Sequence, residues 1–258
     1  MAVIILEHSP RTGALRLGET LRNYGQSLRV VALHEGDPVP DDLVEVDGII
    51  SAGGPQDPSD DSLPWLEEEM ALLRAAHEAE LPVVGLCLGC QILGRALGGR
   101  VGRLSASEDP ANTPARYIEL GWHELKLTPT GREDPLHAGF AWNSMQLHWH
   151  RHHLIEPPPG AQVLASSDLC KVQTWSLGVR TYGFQYHPEV YPQTIENWAA
   201  DEPQDLEEAG ISLEQLRKDT EQYYPSFERL SDRLFERISL VLMAPDRRCA
   251  GVARDMHH

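Results

Sequence analysis

The segment LPVVGLCLGCQILGRALGG, residues 81–99, constrains this chain more than any other. A short apolar run ends in Gly85-Leu86-Cys87-Leu88-Gly89, and a helix is expected to begin near Gln91. This is a G-x-C-x-G elbow, a tight strand-to-helix turn with glycine on both sides, because neighbouring backbone passes too close for a Cβ. Such a turn lifts the central side chain into a cleft. The positive end of the following helix then favours thiolate over thiol at Cys87, and thiolate is the form that attacks. A lone cysteine at a strand end is more often a small buried packing residue, but the flanking glycines and the helix weigh against that here. Cys87 and Cys90 also form a C-x-x-C pair. Redox chemistry is disfavoured because no proline stands between them, and Cys90 reads as a small residue on the helix's inner face.

The surrounding pattern says what carries the elbow. Apolar runs at 2–6, 28–33, 47–53 and 81–87 alternate with helical stretches, as expected for parallel strands joined by crossover helices. Leu17, Leu21 and Tyr24 mark one helix. Ser62 and Pro64 start another, with Glu67, Glu68 and Glu69 at its positive end and Leu66, Met70 and Leu73 facing inward. The fold class is therefore α/β, a doubly wound, mostly parallel, flavodoxin-like sheet. From about residue 101 the texture becomes extended, at 117–127, 162–167, 172–178 and 181–187, which should complete the sheet and add an antiparallel portion. Residues 1–200 read as one domain. An acidic connector then leads to a C-terminal helical extension over 201–245, packed on that domain through Phe227, Leu230, Leu234, Ile238 and Leu242, and 246–258 reads as a flexible tail.

A thiol nucleophile needs a proton acceptor. The apolar run TYGFQY ends in His187-Pro188-Glu189, and residues two apart on an extended segment share a face. A carboxylate beside the imidazole would hold its tautomer and steady the imidazolium formed when the thiol gives up its proton. Alone, such a tripeptide is weak, since an interior histidine followed by a surface glutamate is common. Elbow and histidine in this order, however, can meet at the carboxyl ends of a doubly wound sheet. Gly53-Gly54-Pro55 follows another strand and is, at its plainest, a turn. It also leaves the Gly54 N–H free to join that of Leu88 around an oxyanion.

GLCLGCQ, SAGGP and FQYHPEV, in this order, resemble the class I glutamine amidotransferases, most closely stand-alone proteins akin to the glutaminase domain of GMP synthetase. The resemblance covers roughly residues 1–200. It implies Cys87 as nucleophile, His187 as base, Glu189 as its orienter, Gly54 and Leu88 as oxyanion donors, and Gly53, Gln91, Trp149 and His150 as substrate contacts. The implied chemistry is attack on the side-chain amide of glutamine, ammonia release and hydrolysis of a γ-glutamyl thioester, with no cofactor. Two departures stand out. Gln56 occupies a position where the family usually has glycine, and His150-Arg151-His152 stands where His-Gly-Asp is common. A changed γ-glutamyl substrate would fit, and a γ-glutamyl hydrolase or peptidase with the same triad is the alternative. A catalytically idle regulatory or binding subunit is a third. His148, His150 and His152 would share one strand face and could hold a metal, but the family's loop accounts for His150 without one, and no metal is expected.

Charge limits the partners. The chain has 258 residues, with 39 acidic against 22 basic and a net charge of −17, so a phosphate backbone would be repelled and nucleic acid is not expected. No apolar run is long enough to cross a bilayer, and the four cysteines lack framework spacing. A cytoplasmic location is the default. No P-loop-like run is present, so the acceptor half is expected either elsewhere, as a synthetase partner in trans, or not at all. The oligomeric state is not legible.

Overall fold

The computed structural model describes residues 1–104 and 117–243. The expected tail at 246–258, with Cys249, lies outside the described residues. In chain order the elements are β1 (Ala2–Glu7), α1 (Leu15–Asn23), β2 (Leu28–Ala32), β3 (Val46–Ser51), α2 (Leu66–Glu78), β4 (Val83–Leu86) and α3 (Leu88–Ala96). They continue with β5 (Arg100–Arg103), β6 (Glu119–Leu127), α4 (Pro129–Glu133), β7 (Asn143–His150), β8 (His152–Glu156), β9 (Gln162–Ser166), β10 (Thr174–Leu177) and β11 (Thr181–Phe184). Then come α5 (Pro192–Asp201), α6 (Pro203–Ala209) and α7 (Leu213–Arg237), which runs into a π-helical turn at Ile238–Leu242.

Among the described residues the main sheet has nine strands in the order β2-β1-β3-β4-β11-β10-β9-β6-β7. The first five pair in parallel, and the rest add an antiparallel extension. The α/β class expected from the alternating pattern is the fold observed. Strands buried on both faces explain why β1, β3 and β4 read as unbroken apolar runs. Ile4, Leu6, Ile49 and Val83 pack with α2 and α3 on one face. Val3, Ile5, Ile50 and Val84 pack with Leu17 and Leu21 of α1, Leu234 and Phe235 of α7, and Leu242 on the other. A further cluster joins Leu120, Trp122 and Leu147 to Trp198, Leu206, Tyr224 and Phe227 of α5, α6 and α7.

Several local expectations shift. The helix after the elbow begins at Leu88, directly off Cys87, rather than near Gln91. β11 ends at Phe184, so His187 and Glu189 lie in the turn beyond the strand and not on one of its faces. The acidic connector after residue 200 folds into α6, with Pro203 in its first turn and Gly210 as a left-handed C-cap at φ 67°. Beyond it the expected helical extension is a single 25-residue helix, capped by the Ser212 hydroxyl and carrying Pro225 on its exposed side. The apolar stripe runs past that proline without a break, and this keeps the helix in one piece. β5 and β8 form a separate two-stranded ribbon.

Candidate active site

Cys87 occupies the turn between β4 and α3 with φ 47° and ψ −103°, a conformation that strains any residue but glycine by about 1–3 kcal/mol. Its surroundings leave little alternative. A Cβ on Gly85 would stand 2.6 Å from the Gly89 carbonyl oxygen, and one on Gly89 would collide with the Ser51 backbone. The elbow is tied down by Cys87 N–H donating to the Phe184 carbonyl at 2.8 Å and Gly89 N–H donating to that of Ala52 at 3.0 Å. The Cys90 sulfur faces the sheet instead, accepting from Trp175 Nε1 at 3.2 Å, and burial pushes its thiol pKa up. A redox pair would need both sulfurs accessible, and Cys90 is sealed in the core.

Beyond β11 the chain crosses toward the far edge of the sheet. The His187 N–H donates to the Leu147 carbonyl of β7 at 2.9 Å, so the antiparallel half curls back to the strand from which it departs. His187 Nδ1 lies 2.7 Å from Glu189 Oε1, both side chains are buried, and the Trp198 ring meets the imidazole edge-on at 4.8 Å. Burial by itself would lower the His187 pKa, but the Glu189 carboxylate and the negative charge of the Cys87 sulfur in its thiolate form outweigh it and hold the pKa well above the ordinary value. A Cβ on Gly53 would stand 3.3 Å from His187 Cε1 and 3.8 Å from Cys87 Cβ, so the loop after β3 runs alongside both groups.

That loop is held from below. His8 Nδ1 lies 3.1 Å from the Ala52 carbonyl oxygen and Nε2 lies 2.8 Å from Glu69 Oε2, while Ser51 Oγ donates to Glu69 Oε1 at 2.6 Å. A carbonyl and a carboxylate both accept, so both His8 nitrogens donate. Burial opposes this charge, and Glu69 more than compensates, raising the His8 pKa. A Cβ on Gly54 would come within 2.7 Å of Leu88 Cδ2 and 2.8 Å of His8 Cβ. Leu88 is the first residue of α3, so its N–H has no intrahelical acceptor.

A cleft of about 230 Å³ opens above these groups, lined by Cys87, His187, Gly54, Gln91, Trp149 and His150 among others. Gly53, Leu88 and Glu189 do not line it themselves but abut residues that do, Gly53 and Glu189 against His187 and Leu88 against Gly54. Two of the expected substrate contacts have restricted chemistry. His150 has Nδ1 3.0 Å from the His152 carbonyl and Nε2 2.9 Å from Glu119 Oε2, which leaves no ring nitrogen for a ligand. Gln91 donates from Nε2 to the His152 carbonyl at 2.7 Å and to Gln185 Oε1 at 3.1 Å, which leaves only its oxygen. The Trp149 carbonyl oxygen lies 3.7 Å from Cys87 Sγ, and its indole N–H donates to Asp205 at 2.8 Å.

The alternation of His148, His150 and His152 does not survive as a shared face. β7 ends at His150, and His152 starts β8, where its ring turns toward Asp57 at 3.4 Å. The carboxylate that sequence neighbours lack arrives by strand pairing, with Glu119 opposite His150. Among the described residues, Glu119, His148 and His150 form the one group whose potential ligand atoms lie within 4.8 Å of one another. Glu119 already accepts from His150, from Ser167 Oγ at 2.5 Å and from Gln173 Nε2 at 2.6 Å. Burial would push its carboxyl pKa up, and the flanking His148 and His150 hold it well below the usual range. Arg151, the other departure, forks onto Asp205 at 2.9 and 2.8 Å and reaches Glu208 at 2.7 Å. Gln56 donates to the His8 carbonyl at 2.7 Å. Sequence reading missed Glu119, Gln185 and His8, whose only signals are polar residues inside or beside apolar runs.

Residues 16–201 match the family model for glutamine amidotransferase class-I. One subunit of the glutamine-hydrolyzing GMP synthase of Methanocaldococcus jannaschii is 32% identical over 176 residues, 68% of this chain and 81% of that one. Gamma-glutamyl peptidase 3 of Arabidopsis thaliana is 29% identical over 152 residues, 59% of this chain and 58% of that one. A glutamine amidotransferase structure from Methylobacillus flagellatus superposes with a TM-score of 0.79 at 26% identity, covering 92% of each chain. An elbow cysteine beside a carboxylate-held histidine on this sheet, and a family match spanning most of the chain, lead to one conclusion: the protein belongs to the class I glutamine amidotransferases.

Proposed function

We propose that this chain is a cysteine-dependent amidohydrolase that releases ammonia from the side-chain amide of glutamine for an acceptor. The observation that carries the reading is the strained Cys87 facing an imidazole fixed at 2.7 Å by Glu189. In the proposed reaction His187 takes the Cys87 proton, and the thiolate attacks the amide carbon. The oxygen's new charge meets the N–H groups of Gly54 and Leu88, where losing one such donor typically costs about 3–4 kcal/mol of barrier height. The C–N bond then breaks as His187 returns the proton to nitrogen, and ammonia leaves. Water activated by His187 hydrolyses the thioester, giving glutamate and the free thiol. Glu189 remains ionised throughout and steadies the imidazolium. The acceptor would be served by a synthetase partner in trans, as the name of the archaeal relative suggests, in a cytoplasmic setting where thiols stay reduced.

One feature favours a second reading, a γ-glutamyl hydrolase or peptidase. The cleft continues from Cys87 past Trp198 to Arg11, Arg151 and Glu202, which leaves room for a leaving group larger than ammonia, and one relative is a gamma-glutamyl peptidase. Incubation with a glutamine-like chloroketone followed by peptide mapping should place one adduct on Cys87. Turnover should fall by at least about 10³-fold in Cys87→Ala. Ammonia release from glutamine, compared with cleavage of γ-glutamyl amides, separates the two readings. Negligible glutamine turnover beside rapid amide cleavage selects the second, and no adduct on Cys87 selects an idle subunit.

A further inference from the structure

Gln185 is wholly buried and directly follows the last residue of β11. Its side chain belongs to a chain of amides whose orientations follow from one another. The His152 carbonyl oxygen can only accept, so the Gln91 atom 2.7 Å from it is Nε2. The same nitrogen lies 3.1 Å from Gln185, whose facing atom must therefore be the acceptor Oε1. Gln185 Nε2 is left pointing at Cys87 Sγ, 3.7 Å away. The His150 ring, 3.0 Å from the same carbonyl and braced on Glu119, blocks rotation of the chain at its root.

We infer that Gln185 is a further catalytic residue, donating an N–H to the Cys87 thiolate in an orientation set by Gln91 and the His152 carbonyl. This rests on the proposed role of Cys87 as nucleophile. The two polar neighbours of the sulfur then act on opposite protonation states. The Trp149 carbonyl, 3.7 Å away, can accept only from the thiol, and the Gln185 amide N–H binds the thiolate more strongly than the thiol, because the anion is the better acceptor. The same donor acts in deacylation. When water adds to the thioester and the intermediate collapses, the C–S bond breaks and its electron pair goes to sulfur, beside the Gln185 N–H. Because the chain is anchored in the loop that lines the cleft, that loop and the reacting sulfur share one hydrogen-bonded connection.

The test is the rate of iodoacetamide alkylation of Cys87 against pH, read on the Cys87 peptide by mass, in the full chain and in Gln185→Met, Gln91→Met and the double variant. Gln185→Glu, which is nearly isosteric, serves if Gln185→Met does not fold. The alkylation midpoint should move up by about one pH unit in Gln185→Met. The double variant should shift no further than Gln185→Met alone. Where an amide substrate is turned over, kcat should fall about tenfold with KM changed less than about twofold. A folded Gln185 variant with the wild-type midpoint would overturn the inference. If instead wild-type Cys87 resists alkylation, or Cys87→Ala stays active, the nucleophile assignment fails, an outcome distinguishable because it appears without any Gln185 substitution.

Discussion

His137 sits on the buried side of the sheet against Phe140 and Phe184, and neither ring nitrogen has a hydrogen-bond partner. The Asp134 carboxylate lies 3.9 Å away, and its own carboxyl pKa is raised by burial. Burial pushes His137 down from 6.5 to about 4, so the ring is neutral in the fold. The unfolded chain therefore binds the proton more readily. The associated stability is complete above about pH 6.5, is lost as pH falls toward 4, and amounts to roughly 3 kcal/mol. Chemical denaturation of wild type and His137→Met at pH 7.5 and 4.5 should show a clearly smaller acid loss in the variant. An equal loss would mean that other groups carry it. At this scale the sequence was legible where chemistry has a local signature. The elbow around Cys87 and the pair His187 and Glu189 could be found because short spacing reports on short distance. Glu119, Gln185 and His8 could not, because a buried polar side chain has no periodicity and its partners are set by register between strands far apart in sequence.

The connector after residue 200 shows the same limit for whole elements. Its acidic composition suggests a solvated link, yet Asp205 is buried and receives both the Arg151 guanidinium and the Trp149 indole N–H. α6 is thereby the anchor of the loop between β7 and β8, the wall of the cleft opposite α3. Asp205→Asn keeps the volume and loses the charge-assisted fork. KM for the amide substrate is expected to rise roughly tenfold or less, since such bonds are worth about 1.5–3 kcal/mol and this one is partly exposed. Steady-state kinetics checks this, and an unchanged KM would remove α6 from the site. β1, β3 and β4 were legible because their apolar runs are buried on both faces, and β2 because its short apolar run survives at the sheet edge although Arg29 and Val30 are exposed. β7 and β8 were legible only as one strand carrying His148, His150 and His152, because no local signal at Arg151 marks the break between them.

For the molecule as a whole, the helices beyond the family match are structural. Leu234, Phe235, Ile238 and Leu242 share a cluster with Val3, Ile50, Val84 and Phe184 of the central strands. Burying side chains of this kind is worth about 1.5–3 kcal/mol each, so those from the C-terminal helix alone approach the net stability of an ordinary domain. A chain ending at Glu202 should lose its cooperative thermal transition and aggregate, as read by near-ultraviolet circular dichroism and light scattering. A soluble, cooperatively melting product would show that the helices are dispensable. Among the described residues no helix is long and apolar enough to cross a membrane, and the apolar face of α7 is buried within the protein itself. The order of the strands also bears on biosynthesis. Among the described residues β11 is the last strand, yet it lies between β4 and β10, and Gln185, His187 and Glu189 leave the ribosome together at its end. Until then no imidazole stands beside Cys87. On the proposed role of Cys87 as nucleophile, a stalled translation product or an N-terminal proteolytic fragment should carry the cysteine unarmed, with reactivity arriving only when the central gap in the sheet is filled.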